Sequence, residues 1–231
     1  MFKKEEFAYF GLSSLVLGYI IAFSAFTWLG WLQGIGFALA MILVHVMTQK
    51  IVAYRFGAKL EYELWHIKRY WFYETSYFKR PFPAWLIIPL LLGVVSGGFI
   101  KWFGILTFEA APTTRRAQRR WYEVTEWEFA LIAISGIFAN LILAIISQFL
   151  GWNEFALLNI LFAFFNALPF SQLDGSKILF GSRMLWIFSI ILITAMMILI
   201  GISNIITTII AALALAIITV IIYYSSYEVK K

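Results

Sequence analysis

The sequence predicts an all-α polytopic membrane protein of about six transmembrane helices plus a re-entrant or short extra membrane segment. Three observations predict it. Hydrophobic residues fill 62% of the 231 positions and charged residues 13%, with mean hydropathy +0.86; soluble domains carry about 45–50% apolar and about a quarter charged residues. Apolar runs of spanning length recur along the whole chain. Basic residues flank those runs, and ten Trp and eleven Tyr suit interfacial belts. The net charge of +6 therefore reads as membrane orientation rather than as affinity for nucleic acid. With no Cys, disulfides, thiolate metal sites and a thiol nucleophile are excluded. The chain reads as one integral membrane domain over residues 1–231, with neither a soluble second domain nor an internal repeat.

Phe7 to Leu32 is the first expected span, with Lys3, Lys4, Glu5 and Glu6 before it and no small-residue cleavage site closing it. Gly30 and Gly34 punctuate a very short turn. Gly36 to Phe56 is the second span, and its Lys50 and Arg55 are placed to snorkel to headgroups. Gly57 to Pro83 is a basic juxtamembrane stretch rich in Trp and Tyr, with Lys59, Lys68, Arg69, Lys79, Arg80 and an interfacial His66. It reads equally as a segment lying on an anionic surface and as a solvated loop. Its aromatic run Trp65 to Phe78 suits an amphipathic surface helix or a gate. Ala84 to Phe108 is long enough to span, but Pro89, Gly97-Gly98 and Lys101 interrupt it. Arg115, Arg116, Arg119 and Arg120 follow as an expected cytoplasmic flank for acidic headgroups. Thr125 with Glu128 is a capping box opening a span to about Leu150. Trp152 to Leu168 is the next span. Met184 to Tyr224 as one helix would reach about 60 Å, twice the bilayer core, so it divides into a C-terminal hairpin over about residues 183–225. Gly201, Ser203 and Asn204 mark its turn.

Charge decides between two topologies. If Ala84 to Phe108 crosses the membrane, the basic residues split evenly between the two sides. If it re-enters, hinged at Gly97-Gly98, the basic loops and both termini share one side, as short-loop Lys and Arg require of the cytoplasm. A re-entrant segment needs a sheltered interior. The same topology brings the second span's His45 and the loop residue Asp174 toward one membrane face.

An ionisable residue beside a span is a functional-site candidate, and Asp174 lies in Asn166-Ala167-Leu168-Pro169-Phe170-Ser171-Gln172-Leu173-Asp174-Gly175. The bland alternative is a turn. His45 and Gln49, four apart, share a helix face. In zincin helices the H-E-x-x-H motif sets two His ligands at that spacing around a Glu general base. The stretch His45 to Gly57 resembles the zinc-motif helix of the site-2 protease family of intramembrane zinc metalloproteases. Asn166-Ala167-Leu168-Pro169 with Leu173-Asp174-Gly175 resembles the family's N-x-x-P and L-D-G motif, whose Asp is the third zinc ligand. Ser135-Gly136-Ile137-Phe138-Ala139-Asn140 resembles its A-G-P-x-x-N helix, with Ser135 and Ile137 replacing Ala and Pro. The apolar segment ending in Ala110-Ala111-Pro112 is similar to archaeal members. The motifs occur in family order over about residues 35–185.

The resemblance implies His45 and Asp174 as metal ligands and Asn140, Asn166 and Pro169 as substrate- or partner-binding positions. Yet the family's Glu is Val46 and its second His is Gln49. A catalytic zinc wants three protein ligands and an open water position. A neutral amide is a poor donor, and a valine cannot accept a proton. The expectation is thus a catalytically inactive homologue, a pseudoprotease without zinc, that still binds a transmembrane helix or partner protein in its cavity. His45, Gln49, Asn140 and Lys50 are the candidate partners for the buried Asp174 carboxylate. The alternatives are an active protease carrying substituted catalytic residues, with zinc in its parent, and a structural subunit of a membrane complex using its lipid-facing surface. A transporter would need repeated halves. Gly136 and Asn140 also suit close helix packing and an interhelical hydrogen bond.

Overall fold

The computed structural model describes residues 2–69, 77–114, 116 and 122–227. It is mostly helical, in chain order α1 (Lys4–Ala22), α2 (Trp28–Arg55), β1 (Ala58–Leu64), β2 (Ile67–Arg69), β3 (Tyr77–Phe82), α3 (Ala84–Val95), β4 (Leu106–Pro112), α4 (Glu126–Phe149), α5 (Asn153–Ala167), α6 (Asp174–Gly181), α7 (Arg183–Leu199) and α8 (Ile205–Tyr227). Among the described residues α1, α2, α4 and α8 are long and apolar enough to cross a membrane. With 15 and 17 residues, α5 and α7 reach only about 22 and 25 Å, short of a core of about 30 Å.

The first turn falls earlier than expected. The chain reverses at Phe23–Ala25, and Thr27 caps α2 by accepting from the Gly30 amide at 3.0 Å. Gly30 and Gly34 lie inside α2. A Cβ on Gly34 would stand 2.8 Å from the Gly18 carbonyl oxygen, so this glycine permits close packing of α1 on α2 rather than a turn. The capping box at Thr125 forms as expected, with the Thr125 amide donating to Glu128 at 2.9 Å. The division into α7 and α8 at residues 200–204 also forms as expected.

The stretch 57–83 holds three strands that the sequence reading did not anticipate. β1 pairs antiparallel with β4, from Ala58 opposite Pro112 to Leu64 opposite Leu106, and β2 pairs with β3. Alternation explains β1: Ala58, Leu60, Tyr62 and Leu64 are buried, with polar residues between them. His66 donates from Nδ1 to the Leu64 carbonyl at 2.7 Å. Most of the central part of the Trp65–Phe78 run lies outside the described residues.

Between the strands, α3 is only 12 residues long, about 18 Å. It ends at Gly97 and Gly98, whose φ of +61° and +85° suits residues without Cβ. The chain then returns to β4. Trp65 clasps both legs: its amide donates to Ile105 at 2.7 Å and its carbonyl accepts from Trp85 at 2.9 Å. The segment is a hairpin that ends at the level where it began.

Two buried side chains, Glu6 and Arg116, fix the end of the bundle that carries the sheet. Glu6 at the start of α1 accepts from Lys50 near the end of α2 at 2.7 Å and from the Tyr62 amide at 3.0 Å. Lys50 is thus held in a half-buried ion pair rather than snorkelling. Arg116 was expected on a lipid-facing flank, but it is 1% exposed. Its guanidinium donates to Glu128 at 2.8 and 3.0 Å and to the Phe56 carbonyl at 2.7 Å, which ties the start of α4 to the end of α2. Arg115, Arg119 and Arg120 lie outside the described residues.

Candidate functional site

The site lies at the sheet end of the bundle, where α2, α4, α5, α6 and β1 meet. α2 presents His45 and Gln49 one turn apart on its buried face. α4 crosses them at Gly136, where a Cβ would lie 2.8 Å from His45 Cε1 and from Gln49 Cγ and Nε2. A glycine is therefore required for the two helices to approach, and Asn140 sits one turn further along α4. Leu168 leaves α5 in extended backbone just before Pro169, and the loop leads to Asp174, first residue of α6. A Cβ on Gly175 would fall 2.1 Å from the Ala167 carbonyl oxygen, so Gly175 lets α6 start directly against the end of α5.

These elements join the residues of all three motifs. His45 Nε2 lies 2.8 Å from Asp174 Oδ2. Gln49 Nε2 donates to the same oxygen at 2.6 Å and to the Ala133 carbonyl at 3.1 Å. Gln49 Oε1 accepts from the Tyr62 hydroxyl at 2.6 Å. On the other side of the ring, His45 Nδ1 lies 2.9 Å from Asn140 Oδ1. Asn140 Nδ2 donates to the Met41 carbonyl and to Asn159 Oδ1, each at 3.2 Å. Lys177 Nζ stands 3.7 Å from Asp174 Oδ1. His45, Gln49, Asn140, Asn159 and Asp174 are all buried, so each contact is made where water does not compete.

The network fixes its own proton positions. Asn140 must turn its amide nitrogen toward the Met41 carbonyl, which leaves its oxygen facing His45; Nδ1 is therefore the protonated ring nitrogen. Gln49 must likewise turn its amide nitrogen toward Ala133 and Asp174. His45 Nε2 then faces Asp174 Oδ2. Outside the spans, burial pushes the Tyr62 phenol well above its ordinary value, followed by the charges of Asp174 and Glu6. Tyr62 is thus a fixed donor.

This arrangement does not fit a catalytic zinc. Such a metal needs three converging lone pairs at about 2.0–2.3 Å and one open position. Here His45 and Asp174 are bonded directly to each other, and Gln49 turns its N–H groups, not its oxygen, toward them. Among the described residues, no group of three His, Cys, Asp or Glu could hold a metal ion. Val46, at the position of the family's general base, is fully buried in the apolar core.

Of the residues singled out from sequence, His45, Gln49, Asn140 and Asp174 come together. Lys50 does not join them, because Glu6 engages it. Asn166 is buried and donates to the Phe162 carbonyl of its own helix at 2.8 Å, and Pro169 is exposed in the loop. Tyr62, Asn159 and Lys177 were not foreseen. Asn159 could have been found as a polar residue in an apolar helix. Tyr62 could not, because its place depends on the pairing of β1 with β4.

A groove of about 430 Å³ opens beside the network between β4 and α6, lined by Thr107, Phe108, Glu109, Phe129, Lys177 and Phe180. Lys177 connects groove and network: it donates to the Gln172 carbonyl at 2.7 Å and to Thr107 Oγ1 at 3.2 Å, and lies 4.0 Å from the centre of the Phe108 ring. In comparisons with known proteins, no family model, no curated protein and no solved structure matches this chain.

Proposed function

We propose that the chain is a membrane-embedded, catalytically inactive relative of the site-2 proteases that binds a transmembrane helix or partner protein beside its former metal site. One observation carries the reading. Residues matching three separate motifs converge on Asp174 Oδ2 and its imidazole partner, yet they satisfy each other rather than leaving a position open. In this reading six helices cross the bilayer, α5 and α7 as the short ones, and the α3 hairpin re-enters. The shared end of α1, α2, α4 and α6 carries both termini and faces the cytoplasm, in keeping with the basic flanks. The groove along β4 and α6 is the partner's place, with Phe180 75% exposed and Lys177 at its wall.

Elemental analysis of the purified protein tests this. No stoichiometric zinc is expected in the unchanged chain. One equivalent is expected in the Val46→Glu, Gln49→His double variant, because Gln49 already reaches Asp174 at 2.6 Å and an imidazole there supplies the missing donor. Stoichiometric zinc in the unchanged chain would overturn the inactive reading. A photo-crosslinker at Phe180 is expected to capture the partner, and one at Ile217 on α8 is not. Capture at Ile217 alone would favour the structural-subunit reading instead.

A further inference from the structure

A second polar site lies at the opposite end of the bundle. A cavity of about 190 Å³ opens between the α1–α2 turn, the returning leg of the α3 hairpin and the start of α5. Its walls include Ser24, Gln33, Phe37, Lys101 and Glu154. Gln33, Phe37 and Glu154 also line an adjoining cavity of about 470 Å³ that reaches Trp152. Phe37 is braced by Phe155, the ring centres 4.8 Å apart.

The chemistry of the walls is unusual for this chain. Lys101 interrupts an apolar run, and Glu154 stands in the first turn of α5. Among the described residues, no hydrogen bond or ion pair engages Lys101, Glu154 or Gln33. A cation and an anion thus face one cavity without meeting. A ligand carrying both charges satisfies both walls at once. Trp152 lines the adjoining cavity, and Trp28, Phe149 and Leu150 stand within two residues of lining positions in sequence; all four are 60–71% exposed, the composition of a membrane–water interface.

We infer that this cavity binds a phosphoethanolamine group, its phosphate on Lys101 and its ammonium on Glu154. At an interfacial depth the source is the headgroup of a zwitterionic phospholipid, with Gln33 as an additional donor to the phosphate. A primary ammonium offers three N–H donors to Glu154. A phosphocholine headgroup offers none, and a phosphoglycerol headgroup brings no cation. The inference rests on the bilayer placement and is independent of the partner-binding reading and of the metal result.

The test is native mass spectrometry of the detergent-solubilised full chain, titrated with dioleoyl phosphoethanolamine, phosphocholine and phosphoglycerol lipids. One phosphoethanolamine lipid is expected to bind about tenfold more tightly than either other lipid, the scale of one charge-assisted contact. Lys101→Met and Glu154→Gln, near-isosteric changes outside the buried core, are each expected to reduce that preference to near unity. Soluble phosphoethanolamine is a further arm: full displacement of the lipid assigns the site to the free zwitterion, and no displacement assigns it to the lipid. Equal binding of the three lipids, or a preference unchanged in both variants, would overturn the inference.

Discussion

Asp174 Oδ2 receives both the His45 imidazole and the Gln49 amide, and the chemistry of the site follows from how those two groups are held. Tyr62 holds Gln49. Removing its hydroxyl in Tyr62→Phe leaves the buried Gln49 oxygen without a donor, at an expected cost of about 1–3 kcal/mol in unfolding free energy. The raised Tyr62 phenol also has a pH consequence. Below the ordinary tyrosine value of about 10 its contribution to stability is fully present, and it is lost as pH rises above that value, because only the unfolded chain then ionises. Unfolding midpoints of the parent are therefore expected to fall more steeply above about pH 10 than those of Tyr62→Phe. Gly136→Ala places a methyl group 2.8 Å from His45 and Gln49 and is expected to cost about 1–3 kcal/mol, visible as a lowered melting temperature. At position 46 the difficulty differs. Val46→Glu alone buries a carboxylate in the apolar core, and a loss of about 3 kcal/mol is expected.

At the scale of elements, the Arg116–Glu128 pair joins the β4–α4 connection to the end of α2 and the start of α4. Glu128→Gln removes the carboxylate that takes both guanidinium contacts of the buried Arg116, and a destabilisation of about 3–5 kcal/mol is expected in denaturant titration. The helices were legible in sequence because their signals are local: the Thr125 capping box, the apolar runs, and Gly97-Gly98 as a hinge. The turn after α1 was misplaced because Gly30 and Gly34 look the same in sequence whether a glycine bends the chain or admits a neighbouring helix. Strands β1 and β4 were not legible, since Tyr62 pairs with Phe108 across a long intervening segment. The site was half legible. His45, Gln49, Asn140 and Asp174 stand in motifs, but the direction in which Gln49 turns its amide depends on Tyr62 and Ala133, which only the fold brings near.

For the whole molecule, the contacts of Glu6, Arg116 and Asp174 place the starts of α1, α4 and α6 beside the end of α2. The proposed six-crossing arrangement puts that end, with both termini, on the cytoplasmic side. The chain has no Cys, so single cysteines report cleanly. A cysteine at Lys4 is expected to react with a membrane-impermeant reagent only from the cytoplasmic side, and one at Asn153 only from the outside. Labelling of both from one side would rule out the six-crossing arrangement. The bond between His45 and Asp174 joins residues 129 apart in sequence. A ribosome adding about 5–20 residues per second makes the later residue roughly 6–26 s after the earlier one. Throughout that interval α2 carries an imidazole and an amide that have no Asp174 carboxylate to meet. Any product that stops before Asp174 therefore keeps its His45 and Gln49 without the carboxylate that the complete chain gives them.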